Sequence, residues 1–160
     1  MSNKFDFLGP VQIKHLNIRK QGAEDSRVLA VDVKVHAQMV SADLLDCIWT
    51  PSEGESCKHV FWAEDGSPKM FGISKLESHA QFDDCCGTIL GHYFSIDKVS
   101  KFAGGLEKDF CMGITFSFSI VSPSDPLLEA LAKMVAEEVN LKIESPQLEL
   151  PLAEGNGGAL

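Results

Sequence analysis

Cys57, His59, His79, Cys85, Cys86 and His92 carry the thiols and imidazoles that a zinc ion prefers. Their spacing fits no zinc finger or ribbon. The chain has no Cys-x-x-Cys pair, and the adjacent Cys85 and Cys86, placed on a strand, point to opposite faces and cannot easily grip one ion. Cys57, His59 and Cys85 stand as the candidate ligands. The competing reading makes the cysteines ordinary buried or half-buried side chains, with no metal or other cofactor bound. The same groups supply a Cys–His nucleophile pair only if the fold brings two of them together. Asp83 and Asp84 are the paired carboxylates that would suit Mg²⁺, and beside Gly87 they read instead as a solvated turn. A Gly-x-Ser-x-Gly elbow, a Gly-rich phosphate loop, a His-Glu-x-x-His helix and a dinucleotide-binding turn are all missing. That lack of a catalytic signature favours binding over chemistry, with a small metal- or thiol-dependent enzyme as the remaining catalytic alternative.

The most basic stretch runs from Lys14 to Lys20 and is followed at once by Gly22, Glu24 and Asp25. Lys14, Arg19 and Lys20, joined by Lys98 and Lys101, are therefore the candidate binding residues. A charged hairpin tip accounts for the first three equally well. Trp62, Phe71, Phe82, Tyr93 and Phe94, interleaved with Lys69, Lys75, Lys98, Lys101 and Lys108, could stack bases as an oligonucleotide-binding barrel does. Aromatic residues in strands are more often core. The charge balance also weighs against phosphate binding. Fourteen Lys and Arg face 23 Asp and Glu, a net −9, which leaves no broad basic surface.

One hundred and sixty residues suffice for one core but not for two with a linker. At 44% hydrophobic and 23% charged, the composition is that of a folding chain rather than a disordered one. No basic segment followed by a long apolar run opens the sequence, and no apolar stretch is long enough to span a membrane. Five cysteines of irregular spacing read as reduced thiols. Together these place the protein in the cytoplasm, with no membrane contact and with homo-oligomerisation left open.

The elements that must position these residues are mostly strands. Val28–His36 alternates cleanly, whereas in Val11–Ile18 the alternation slips near His15, where a bulge is expected. The polar run Lys20–Ser26 joins the two as a hairpin. Ser41–Ile48 reads as a short helix, Asp65-Gly66-Ser67-Pro68 as a turn, and Val60–Ala63, Met70–Leu76, His79–Phe82 and Thr88–Ile96 as strands. Phe110–Val121 carries the longest alternation in the chain, with Phe116 and Phe118 on one face and both expected to be buried. Asp125 before Pro126 predicts a helix from 126 to about 139, its apolar stripe packed on the sheet, and Leu141–Ile143 predicts a last strand. The fold class is thus mostly β (α+β), an antiparallel β-sandwich or open barrel with one packed C-terminal helix. Residues 1–145 form the single domain and 146–160, with two prolines and three glycines, a flexible acidic tail.

Val11 through Gly22, Val31-Asp32-Val33, Phe116–Ser119 and Pro146–Glu149 resemble a family of small accessory proteins encoded by tailed bacteriophages and prophages. The resemblance implies a bacterial cytoplasm and a phage accessory role, encoded near replication or recombination functions; counter-defence is the other role open to a binding protein of this kind. It contains no catalytic motif and so carries over no site residue. The leading expectation is a non-enzymatic accessory protein that contacts a host or phage protein; the alternative is a single-stranded nucleic-acid-binding accessory protein.

Overall fold

A computed structural model describes residues 5–38, 44, 48, 64–65, 76–106 and 112–145. Strands β1 (Phe7–Gln21) and β2 (Val28–Gln38) form the expected hairpin, its connection turned by Gly22 at φ +108 and a 3-10 turn at Glu24–Ser26. The β1–β2 register slips between Ile13 and His15, leaving Lys14 as the extra residue of a bulge. The Ile13 backbone is held from the other side. Its N–H donates to Glu137 O at 3.1 Å, and its carbonyl accepts from Ala136 N at 2.7 Å.

β3 (Leu76–Ser78), β4 (Phe82–Ile89), β5 (His92–Leu106), β6 (Met112–Val121), helix α1 (Asp125–Lys133) and β7 (Glu138–Glu144) follow. The strands pair in the order β5-β4-β7-β1-β2-β6, every pair is antiparallel, and β6 pairs back onto β5. This is a closed six-stranded barrel, where the sequence suggested a sandwich or an open barrel. Closure follows from β5. It pairs with β4 on one edge through Phe82–Val99 and with β6 on the other, so neither terminal strand of the sheet keeps a bare edge. β3 continues along β5 beyond the end of β4, through Ser78–Phe102.

A barrel this narrow has room only for side chains. Val11, Ile13, Val31, Val33, Val35, Phe94, Ile96, Val99, Ile114, Ile120, Leu141 and Ile143 fill it, together with Phe116 and Phe118, which are both fully buried as expected. Phe5 packs among Phe82, Phe102 and Phe116 at ring-centroid distances of 5.2, 5.3 and 5.5 Å. It is anchored by Ser145, whose Oγ accepts from Phe5 N at 2.7 Å. Helix α1 contributes Leu127 and Leu131 to the same core.

Five readings need correction. Thr88–Ile96 is not one strand but the tip of the β4–β5 hairpin, with Ile89 opposite His92 and both Leu90 (φ +51) and Gly91 (φ +80) in left-handed conformation. Of His79–Phe82, residues 79–81 are the link between β3 and β4 and only Phe82 is in a strand. Ser78 Oγ accepts from Ala80 N at 3.1 Å and donates to Ile48 O at 2.7 Å, so a local turn replaces the ladder. Asp83 and Asp84 lie within β4 rather than in a turn. Helix α1 ends at Lys133, short of 139, because Ala136 at φ +72 turns the chain into β7; Val135 is left 39% exposed and Glu138 belongs to the strand. Its N-cap is Ser124, not Asp125, with Ser124 Oγ accepting from Leu127 N at 3.2 Å.

Ser41–Ile48, apart from Leu44 and Ile48, the strand at 60–63, most of that at 70–76 and the tail at 146–160 lie outside the described residues. So does the 65–68 turn apart from Asp65.

Two consecutive left-handed residues make a type I′ turn, for which Asn-Gly is the favoured pair. Leu90 is 49% exposed there, so its side chain does little to offset a backbone state that costs a non-glycine residue about 1 kcal/mol. Leu90→Asn is expected to raise stability by about 1 kcal/mol. An unchanged urea midpoint would mean that the hairpin tip carries no such strain.

Candidate polar groove on the barrel wall

The outward residues of β1, β2, β6 and β5 fall into register rows. Asn17 pairs with Asp32, Asp32 with Ser119, and Ser119 with Lys98. In the next row His15 pairs with Lys34, Lys34 with Ser117, and Ser117 with Ser100. His15, Asn17, Asp32, Lys34 and Ser117 of these rows form one wall of an open groove of about 570 Å³, whose other side is Glu77 and Ser78 of β3, His79 after it and the bulged Lys101 of β5. That volume is typical of ligand sites, but the lining is mainly polar, unlike the apolar pockets that take drug-like molecules.

Asp32 organises one end. Arg19 reaches it diagonally, with Nε to Oδ2 at 2.8 Å and Nη2 to Oδ1 at 3.1 Å; Ser119 Oγ donates to Oδ1 at 2.6 Å, and Asn17 Nδ2 to Oδ2 at 3.3 Å. Ser119 is 5% exposed, a buried hydroxyl satisfied by this bond. The Arg19 hydrogen bonds, aided by Ser119 and Asn17, pull the Asp32 carboxyl down to about 2 against the opposing effect of burial. The folded state therefore holds the carboxylate more firmly than the unfolded chain does. Its contribution is complete above the unfolded value near 3.8 and is lost as pH falls through about 2. Stability of the intact chain is expected to fall between about pH 4 and about pH 2, with a shallower slope in Asp32→Asn. Denaturant midpoints across that window check it, and parallel slopes would refute it.

Lys34, Lys101, His15 and His79 also face the groove, and among the described residues they make no side-chain hydrogen bond or ion pair. Lys101 sits at φ +60, in the irregularity between Ser100 and Ala103 where β5 loses register with β6.

Of the five binding candidates, the structure brings only Lys101 into the groove, while Arg19 braces Asp32 at its end and Lys98 stands beside Ser119 in the adjoining row. Lys14 is the bulge residue, turned to Gln12 Oε1 at 3.4 Å, and Lys20 is exposed near the hairpin end; neither lines the groove. Sequence reasoning missed His15, Lys34, His79, Ser117 and the Asp32 network. The outward alternation of Asp32 and Lys34 was visible, but their neighbours across the sheet were not.

Cys57 and His59 lie outside the described residues. Cys85 points into the barrel and Cys86 outward, as strand geometry requires, and the two are not bridged. Burial, with the nearby Cys86 and acidic groups, pushes the Cys85 thiol up to about 11, so it stays protonated at neutral pH and is ill suited to metal or nucleophile chemistry. Among the described residues no three His, Cys, Asp or Glu side chains converge on a point that would hold a metal, and no helix is long and apolar enough to cross a membrane.

Among the described residues the aromatic rings do not form a stacking platform, and Trp62 and Phe71 lie outside those residues. Phe82, Phe94, Phe102, Phe116 and Phe118 are all inside the barrel, and Tyr93, 69% exposed, projects from the β4–β5 hairpin and is not among the groove residues. No family model, curated protein or solved structure matches the chain.

Proposed function

We propose that this chain is a non-enzymatic accessory binding protein, of the phage or prophage kind its sequence resembles, that works by contacting a protein partner through the groove on its barrel wall. One observation carries the reading: Lys and His side chains without a bond among the described residues converge on a preformed polar groove whose far end is braced by the Arg19–Asp32–Ser119 network. A filled barrel directs recognition to its outer wall, and the cross-strand bonds hold that wall in place before any partner arrives. Burial of Phe82 and Phe94 weighs against the alternative of single-strand nucleic-acid binding.

The test is affinity capture from lysate of infected or lysogenic bacteria, using the intact chain beside the charge-reversed Lys34→Glu/Lys101→Glu variant. A phage or host protein retained by the first and lost from the second supports the reading. Identical captures, or a single-stranded DNA gel shift that survives moderate salt, would overturn it.

A further inference from the structure

The chemistry of the groove narrows the partner, on the premise that the groove is the binding site at all. The protein carries a net charge of −9, yet the ionisable groups at this one place that make no bond among the described residues are basic. Lys34 rises from the middle of the wall, His15 beside it on β1, Lys101 from β5 and His79 from the opposite rim. Neither acid there bonds to any of the four among the described residues. Asp32 spends both carboxylate oxygens on Arg19, Ser119 and Asn17, and Glu77 has an interaction of its own.

Backbone geometry points the same way. Lys101 is held in a left-handed conformation that glycine or asparagine would adopt with less strain, and it is the bulge there that delivers its side chain to the groove. On the far side, the bulge at Lys14 resets the alternation of β1 so that His15 and Asn17 both line the groove. Two strand irregularities, at Lys14 and around Lys101, thus place basic side chains on facing rims.

We propose that the groove recognises a short acidic peptide segment, its Asp or Glu carboxylates taken by Lys34 and Lys101 with His15, His79 and the Ser117 hydroxyl beside them. Size supports a short segment. From β1 to β5 the wall spans three interstrand spacings, about 14 Å, or roughly four residues of extended peptide. A longer polyanion is disfavoured, because beyond Lys98 the surface turns acidic with Asp83, Asp84 and Asp97. A nucleic acid would also find no exposed Phe, Tyr or Trp ring to stack on among the described residues of the groove.

The experiment titrates fluorescein-labelled octaglutamate and, separately, octameric oligothymidylate into the full chain at low salt, following anisotropy. Octaglutamate is expected to bind, to weaken with added salt, and to bind about tenfold more weakly to Lys34→Glu/Lys101→Glu. Tyr93→Ser, outside the groove, is expected to bind as the parent does. Circular dichroism establishes that each variant is folded, and Lys34→Gln/Lys101→Gln, expected to lose part of the affinity, replaces the reversal should that fail to fold. No binding of octaglutamate, binding equal in the reversed and parent chains, or tighter binding of oligothymidylate would each overturn the proposal. Loss of partner capture by the reversed variant alongside no octaglutamate binding would remove the acidic-segment inference while leaving the binding-protein reading standing. Unchanged partner capture would remove that reading itself.

Discussion

Phe116→Ala is expected to lower the stability of the chain by about 3–5 kcal/mol. The ring is fully buried at the meeting point of the aromatic cluster, with centroids 5.5 Å from Phe5, 5.8 Å from Phe7 and 5.6 Å from Phe102. Truncation removes its transfer free energy and leaves a void that closed strands on every side cannot collapse to fill. Edge-to-face contact with Phe5 and Phe7 adds to the loss. The urea midpoint is the readout, with Leu8→Ala, at a side chain 77% exposed, as a control expected to move by less than about 0.5 kcal/mol. If the alanine variant does not fold at all, Phe116→Leu is expected to cost a smaller but measurable amount. A midpoint unmoved by either substitution would mean that the barrel interior is not packed as described.

Gly87→Val acts in the opposite sense, by overfilling, and is expected to cost about 3 kcal/mol. Gly87 lies opposite Phe94 on β5, and a Cβ on it would come within 2.5 Å of Phe94 Cε1, 2.8 Å of Phe94 Cζ and 2.9 Å of Ile96 Cδ1. The Phe94 ring cannot simply swing aside, because it stacks on Phe118 at 6.1 Å with the planes 9° apart. Glycine is thus a packing requirement here, the ring covering the surface that a side chain would otherwise occupy. Phe94→Leu should relieve the clash, so the double variant is expected to be more stable than the sum of the two single losses allows. Strict additivity would show that Gly87 and Phe94 do not share this space.

Where strands are regular, the amino-acid sequence by itself determined the structure closely. The alternation over Val28–His36 and Phe110–Val121 marked β2 and β6, put Phe116 and Phe118 inside, and left Asp32, Lys34, Ser117 and Ser119 outside. The slip near His15 marked the β1 bulge, and Asp125 before Pro126 marked the start of α1 to within one residue. These signals are local: side chains of an extended backbone alternate faces, and a cap or proline acts within one turn.

β4 and β5 hid for the same reason in reverse. Extra residues at Asp84 and Asp97, with the irregularity around Lys101, reset the alternation so that Phe82, Cys85, Gly87 and Ile89, or Phe94, Ile96, Val99 and Phe102, share the interior without a period of two. Closure of the barrel and assembly of the groove were decided by tertiary structure alone. His15, Lys34, Ser117 and Ser100 become one row only through hydrogen-bond register between β1, β2, β6 and β5, and Lys101 reaches the groove only because β5 bulges there. Alternation says which face a residue takes. Which residue stands beside it depends on pairing between distant segments, a choice made by the packing of the whole core and not by any stretch of sequence read on its own.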